Sequence, residues 1–184
     1  MGGVWERMVG IIKRVLKGVM GKATRVTDEI LTTLLCEVEA IVNSRPLTKL
    51  SDDPSDLMPL TPNHLLLMRE PCTLPPCVPS SNAYRNRWRY VQHLAQEFWS
   101  RFMREYLPEL NRRSSWTERK RDVAIGDLVL VKQAGLPRGL WPLALVREVL
   151  KGRDGAVRSV KVQTRVSSFL RPIVSLIPLE FGSG

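Results

Sequence analysis

Cysteine and histidine are scarce in this sequence, with three cysteines and two histidines among 184 residues. Because the cysteines are few and odd in number, they do not indicate a disulfide framework, and they favour a reducing intracellular compartment. Cys72 and Cys77 lie among prolines, while His64 and His93 have no second ligand at a matching spacing. Because a structural zinc site needs four well-spaced ligands, we expect these residues to be incidental rather than metal ligands.

Long apolar runs and nucleotide-binding motifs are also missing. No apolar stretch approaches the roughly 20 residues that a membrane span needs, and a charged helical pattern stands where a secretory signal would begin. The Walker, GxGxxG and GxSxG patterns do not occur, which removes common signatures of nucleotide-binding enzymes and serine hydrolases. With 43% hydrophobic and 25% charged residues, the composition is typical of a globular intracellular chain rather than a disordered one.

Basic residues outnumber acidic ones by 28 to 18, which gives a net charge of +10. The surplus is uneven: residues 1–26 hold six bases and one acid, and residues 108–184 hold fourteen bases and seven acids. Residues 27–80 are acidic, with three bases and eight acids. Basic ends around an acidic middle favour a polyanionic partner, most often nucleic acid. Solubility alone and an anionic membrane surface are the alternatives.

Hydrophobic periodicity predicts two helices in the first 45 residues. The first carries one apolar stripe and weakens at Gly18, and the second begins at the N-cap Thr27 and ends before Pro46. Residues 46–80 are rich in proline and turn signals, with one short helical turn at 64–68. Residues 46–80 are therefore predicted to connect the second and third helices.

A third helix is predicted over about residues 82–106. Its aromatic stripe is typical of core packing, and a base-stacking platform or an oligomerisation surface are the alternatives. The stripe comprises Trp88, Val91, Leu94, Ala95, Phe98, Trp99, Phe102 and Tyr106.

After residue 120 the hydrophobic period switches to two. Four or five short strands are predicted between residues 122 and 178, with a strong hairpin turn at 152–155. They favour a small closed barrel of the SH3-like kind, because closure removes exposed strand edges. Trp141 is expected to anchor the core of this barrel, with a ligand-facing aromatic as the alternative. The predicted fold class is therefore α+β.

Glu6 is the only acid in the first 26 residues, and it shares the polar face of the first helix with Lys13 and Lys17. A lone acid among bases is commonly an ion-pair or helix-dipole residue. An acid that holds Mg²⁺ beside DNA has the same surroundings, since basic neighbours bind the phosphates that flank the metal. The residues alone favour the first interpretation and leave the second open.

Several ordered motifs along nearly the whole chain resemble one family. Gly2-Gly3-Val4-Trp5-Glu6-Arg7, followed by a basic helix, is similar to the final motif of the integrase core of BEL/Pao retrotransposons. Three motifs resemble the segment that follows that core. They are Asn43-Ser44-Arg45-Pro46-Leu47-Thr48, Ser51-Asp52-Asp53-Pro54 and Leu60-Thr61-Pro62-Asn63-His64. Five further motifs resemble the domain of unknown function that ends the same polyproteins. They are Trp116-Thr117-Glu118-Arg119-Lys120-Arg121-Asp122, Gly126-Asp127-Leu128-Val129-Leu130-Val131, Leu136-Pro137-Arg138-Gly139-Leu140-Trp141-Pro142-Leu143, Arg153-Asp154-Gly155-Ala156-Val157-Arg158 and Leu170-Arg171-Pro172.

This resemblance implies an order of domains. Residues 1–45 correspond to a helical remnant of the integrase catalytic core, and residues 46–81 to a proline-rich connector. Residues 82–118 correspond to a long amphipathic helix with a linker, and residues 119–181 to a basic SH3-like barrel. The implied parental reaction is 3′-processing and strand transfer of element DNA into host DNA, which implies a nuclear location.

In the same resemblance Glu6 matches the glutamate of the Asp-Asp-Glu triad, whose carboxylates hold two Mg²⁺ or Mn²⁺ ions. The two aspartates have no counterpart here, because no acid precedes Glu6. Since one carboxylate cannot hold a metal pair, we expect this chain to carry no cofactor and to be inactive alone. Incubation with either metal and an element-end DNA is expected to give no strand transfer.

The expected partner is DNA, which the protein is expected to bind without sequence preference. Basic residues on the first helix and around the barrel are expected to contact the phosphates. These bases are Arg7, Lys13, Arg14, Lys17, Arg119, Lys120, Arg121, Arg138, Arg153, Arg158 and Lys161. Two alternatives to an integrase fragment stay open: a stand-alone DNA- or chromatin-binding module built on the barrel, and a homo-oligomerisation module built on the third helix.

Overall fold

Helices come first along the chain and strands second. The computed structural model describes residues 3–24, 26–49, 58–68, 82–110, 123–133, 138–152, 155 and 157–180. Its elements are α1 (Gly3–Met20), α2 (Asp28–Asn43), β1 (Thr48–Lys49), β2 (Pro59–Leu60), α3 (Pro62–Leu67), α4 (Asn82–Leu110), β3 (Leu128–Val131), β4 (Leu143–Lys151), β5 (Val157–Gln163), β6 (Ser168–Pro172), a 3₁₀ turn (Ile173–Ser175) and β7 (Leu176–Glu180). This mixture of helix and strand confirms the α+β class.

Local capping chemistry sets where the shorter helices begin. The Thr27 side chain accepts a hydrogen bond from the Ile30 N–H at 3.4 Å, which confirms Thr27 as the N-cap of α2. Thr61 caps α3 in the same way, and Nδ1 of His64 accepts a hydrogen bond from the Thr61 N–H at 3.1 Å. Pro62 follows as the first helical residue, where a missing N–H costs nothing. The predicted turn at 64–68 therefore starts earlier, as α3.

The long helix α4 forms the centre of the helical layer, and both α1 and α2 pack on it. Its Phe98 and Phe102 are fully buried. The ring of Phe102 stacks on those of Phe98 and Tyr106, at centroid distances of 5.6 and 5.0 Å. The expectation that the aromatic stripe is core packing is confirmed for these residues.

The C-terminal strands form one antiparallel sheet in the order β6-β5-β4-β3-β7. Within the described residues this sheet is open, with β6 and β7 at its edges, so the prediction of a closed barrel is wrong. The edges are protected in another way. Arg171 of β6 lies opposite Val160 on the inner face, with its guanidinium 4.8 Å from the Phe169 ring centroid, and Pro172 ends the strand. An inward-pointing charge and a proline both discourage further strand pairing.

Two apolar clusters lie on opposite faces of the sheet. The inner face buries valines such as Val129, Val146 and Val162 against one another. The outer face of β3, β4 and β7 packs on the helices, in a cluster that also contains α1, α2, α4 and Trp141. This second cluster therefore joins three of the four segments predicted from the sequence, namely residues 1–45, 82–118 and 119–181.

Trp141 is a core residue, as predicted, but it lies between the helices and the sheet rather than inside the curl of the sheet. Its ring meets those of Trp99 and Tyr106 edge-on, at 5.1 and 5.8 Å. Its indole N–H donates to the Ser44 hydroxyl at 3.1 Å. This position excludes a ligand-facing role for the ring.

Among the described residues, none of the helices combines the length and apolar character needed to cross a bilayer.

Stability at high pH is expected to depend on Tyr106. Burial raises the pKa of its phenol above the usual value of about 10, and the charged, hydrogen-bonding Arg45 offsets part of that rise. The unfolded chain therefore loses this proton before the folded chain does, so the contribution of Tyr106 to stability is lost as the pH rises beyond 10. Urea unfolding from pH 8 to 11 is expected to show a steeper loss for the wild type than for Tyr106→Phe; parallel curves would contradict this assignment.

Candidate nucleic-acid interface

The outer face of β5 presents polar side chains where the helices do not cover the sheet. Val160 and Val162 are fully buried on the inner face, so Lys161 between them faces outward and is exposed. Its neighbours across the strands are Glu148 of β4 and Leu170 of β6. Lys161 thus lies at the centre of an uncovered strip of sheet.

A β-bulge in β4 adds a second base to this strip. Val146 pairs with Val162, and Glu148 pairs with Lys161, so Arg147 is the extra residue between them. Arg147 is exposed, and its Nε donates to Oε1 of Gln163 at 2.7 Å. The bulge therefore brings the guanidinium of Arg147 over the outer face of β5.

The turn between β5 and β6 supplies the third base. The N–H and the hydroxyl of Thr164 both donate to the carbonyl of Ser167, each at 2.8 Å. The Ser167 N–H in turn donates to the Thr164 hydroxyl oxygen at 3.1 Å. This closed turn holds Arg165 and Val166 outward, and Val166 is 93% exposed to solvent.

These residues enclose one shallow groove of about 580 Å³ on the sheet. Its lining consists of Arg147, Glu148, Lys161, Gln163, Thr164, Arg165, Val166, Ser167 and Ser168. Three bases face one acid there, and no ion pair joins any of the three to a carboxylate in the described part of the chain. Unpaired cations beside hydroxyl and amide groups provide the donors that bind phosphate oxygens. We refer to this feature as the basic groove.

Two bases of the helical layer pair with acids of the same layer, and Arg138, which precedes β4, pairs with an acid of α2. Arg14 pairs with Glu105 at 3.2 Å, and Arg87 pairs with Glu29 at 2.9 Å. Arg138 reaches back to α2, where its Nη1 lies 3.4 Å from Oε2 of Glu37, and its Nη2 donates to Oε1 of Gln92. Such pairs reduce the positive field outside the groove.

The structure separates the bases that the sequence predicted as DNA contacts. Arg7, Lys13 and Lys17 are exposed on α1, and Arg158 is exposed on β5 and has a partner. Among the predicted residues that the structure describes, only Lys161 lines the basic groove. Four further predicted contacts lie outside the described residues: Arg119, Lys120, Arg121 and Arg153.

Arg147 and Arg165 complete the groove, and neither is among the DNA contacts that the sequence predicts. The signal for Arg147 is a break in alternation, because Arg147 and Glu148 are two consecutive exposed residues after buried Val146. Arg165 lies within the Thr-x-x-Ser sequence of residues 164–167 that follows β5, and hydroxyl residues at these positions favour a tight turn.

The structure also places Glu6, the predicted remnant of the metal-binding triad. It lies exposed in the first turn of α1. Within the described part of the chain, no group of three or more His, Cys, Asp or Glu residues could hold a metal ion. Of the residues considered as zinc ligands, His64 caps α3, His93 is exposed, and Cys72 and Cys77 lie outside the described residues.

Loss of the Arg138 side chain is expected to cost stability, because its ion pair is only 23% and 28% exposed. We expect Arg138→Gln to lower the free energy of unfolding by about 1–3 kcal/mol, since it leaves Glu37 without its charged partner. Arg87→Gln is the matched control, because its ion pair is 56% and 77% exposed and such pairs contribute about 0–1 kcal/mol. Equal losses in urea unfolding of the two variants would contradict a structural role for Arg138.

Comparison with known proteins adds one family. No curated protein and no solved structure gives a significant match to the chain. Residues 86–179, which are more than half of the chain and run from α4 to β7, match a family of unknown function, DUF5641. The chain therefore belongs to the DUF5641 family.

Proposed function

We propose that this protein binds nucleic acid through the phosphate backbone, and that the basic groove is the contact surface. The observation that carries the proposal is the gathering of Arg147, Lys161 and Arg165 on an uncovered strip of sheet, without described acidic partners. Cations arranged in this way bind phosphates regardless of base sequence. The net charge of +10 supplies long-range attraction for the same partner.

The wider proposal is that the chain is the C-terminal part of a BEL/Pao-type integrase. The family match covers residues 86–179, which include all the motifs that resemble the C-terminal domain of those polyproteins. The strand order supports an opened SH3-like module, because β7 returns beside β3 after a 3₁₀ turn. Duplex DNA is then the proposed ligand, and the nucleus is the proposed compartment.

Binding rather than catalysis is the activity that the geometry supports. Glu6 has no described carboxylates around it that could complete a metal site. We therefore propose no reaction step for this chain. The alternative of oligomerisation through α4 has less support, because Trp99 and Phe102 are covered by the chain's own core.

A salt titration tests the proposed function. Fluorescence anisotropy with a labelled DNA duplex of about two helical turns is expected to show binding at low salt. The logarithm of the binding constant is expected to fall against the logarithm of salt concentration with a slope of about −2.7 or steeper, since each phosphate contact contributes about −0.9. Absence of binding at low salt would refute the proposal, and a slope near zero would refute the phosphate contacts.

A further inference from the structure

We propose that Ser168 is a phosphorylation site for a serine/threonine kinase that selects basic residues, and that phosphorylation closes the basic groove to nucleic acid. The regulatory half of this inference rests on the proposed function. The assignment of the modified hydroxyl rests only on the surface around Ser168.

Ser168 is accessible at an edge of the sheet. It is exposed and is the first residue of β6, which pairs on one side only, with β5. Within the described part of the chain its hydroxyl makes no hydrogen bond. The neighbouring Ser167 differs, because its N–H and its carbonyl are both bonded to Thr164 in the closed turn. Opening the end of an edge strand therefore exposes Ser168 at low cost.

A base precedes Ser168 at a spacing that a kinase with acidic substrate-binding residues selects. Arg165 lies three residues before it, whereas Arg171 faces the inner side of the sheet. Arg165 projects from the turn into solvent, so its guanidinium is available to a carboxylate of the kinase. For Ser167 the same arginine lies only two residues away.

The transfer is an ordinary phosphoryl transfer from ATP. The Ser168 Oγ attacks the γ-phosphorus, a new Oγ–P bond forms, and the bond from phosphorus to the β-phosphate oxygen breaks. The electron pair leaves with ADP, and the hydroxyl proton passes to the catalytic base of the kinase. ATP and the kinase are the only co-reactants needed.

The position of Ser168 explains why a phosphate there closes the groove. Ser168 lies directly opposite Gln163 in the β5–β6 register, and Gln163 accepts a hydrogen bond from Arg147. Directly opposed side chains lie on one face, about 5 Å apart. A phosphoserine adds about −1.5 to −2 charges at neutral pH and bonds well to arginine, so it offsets the groove's surplus of three bases over one acid.

Two assays on the full chain test this inference. The first incubates the protein with ATP and the catalytic subunit of cAMP-dependent protein kinase, which selects arginine three residues before serine, and maps the phosphate by mass spectrometry. Because Arg112 also lies three residues before Ser115, every variant carries Ser115→Ala. In that background we expect phosphate on Ser168, which is retained in Ser167→Ala, absent from Ser168→Ala and reduced in Arg165→Gln. Absence of phosphate from Ser168 in that background, or undiminished phosphate on Ser168 after Arg165→Gln, would overturn the assignment.

The second assay compares duplex binding by the unmodified and the stoichiometrically phosphorylated Ser115→Ala protein, so that the added phosphate lies on Ser168. We expect binding to weaken about tenfold or more, because the added charge opposes the DNA phosphates. Equal binding by the two forms would overturn the regulatory claim while leaving the proposed function intact. If the unmodified protein binds no DNA, the proposed function and its regulation fail together, whereas the first assay still decides whether Ser168 is the modified residue.

Discussion

Replacing Trp141 by alanine is expected to lower the free energy of unfolding by about 3–5 kcal/mol. The indole lies buried between the helices and the sheet, and it contacts the rings of Trp99, Phe102 and Tyr106 edge-on. Its removal leaves a cavity in the contact that joins the two layers, so both layers lose packing. Urea unfolding followed by far-UV circular dichroism measures the loss.

Trp141→Phe separates ring packing from the hydrogen bond. Phenylalanine keeps an aromatic ring but cannot donate to the Ser44 hydroxyl, which accepts the indole N–H in the wild type. We expect this variant to fold and to lose about 1–2 kcal/mol, from the hydrogen bond and the smaller ring. A loss below about 1 kcal/mol for the alanine variant would show that Trp141 does not hold the layers together.

Neutralising the basic groove is expected to abolish most DNA binding. The triple variant Arg147→Gln, Lys161→Gln, Arg165→Gln removes three cations from exposed positions, so the fold is expected to be kept. Three lost phosphate contacts predict a salt slope that is shallower by about 2.7 and an affinity that is roughly 10²-fold lower at 0.1 M salt. Anisotropy titrations at several salt concentrations measure both quantities.

A second triple variant with the same change in net charge provides the control. Arg87→Gln, Arg89→Gln, Arg104→Gln neutralises three exposed bases of α4, of which Arg87 is already paired with Glu29. It lowers the overall attraction equally but leaves the groove unchanged, so a small loss of affinity is expected. If both variants weaken binding to the same extent, net charge rather than the groove carries the interaction.

Local chemistry made much of the fold predictable from sequence. Thr27 was identifiable as a cap because its bond to the Ile30 N–H spans three residues, and alternation over residues 157–163 identified β5. The end of α4 was placed too early, since Pro108 lies inside its last turns. The missing N–H of Pro108 removes only the bond to the carbonyl four residues earlier, and only two helical residues follow it.

Long-range contacts account for what sequence reasoning missed. Arg138 pairs with Glu37, which is 101 residues away, and no sequence pattern predicts this contact. A closed barrel was expected because closure removes exposed strand edges. That Arg171 protects the edge instead depends on its register with Val160, which the sequence does not show. Arg147 lines the groove because of a bulge in β4, and this bulge is visible only in the pairing of β4 with β5. In each case the deciding partner lies far away in sequence, where periodicity carries no signal.

The most direct test of the basic groove is an NMR titration of the ¹⁵N-labelled protein with a DNA duplex. The account predicts that the amide signals that shift most belong to residues 147, 161 and 163–168, which line the groove. Shifts confined to α1, around the exposed bases Arg7, Lys13 and Lys17, would contradict it and would place the nucleic acid on the helical layer instead.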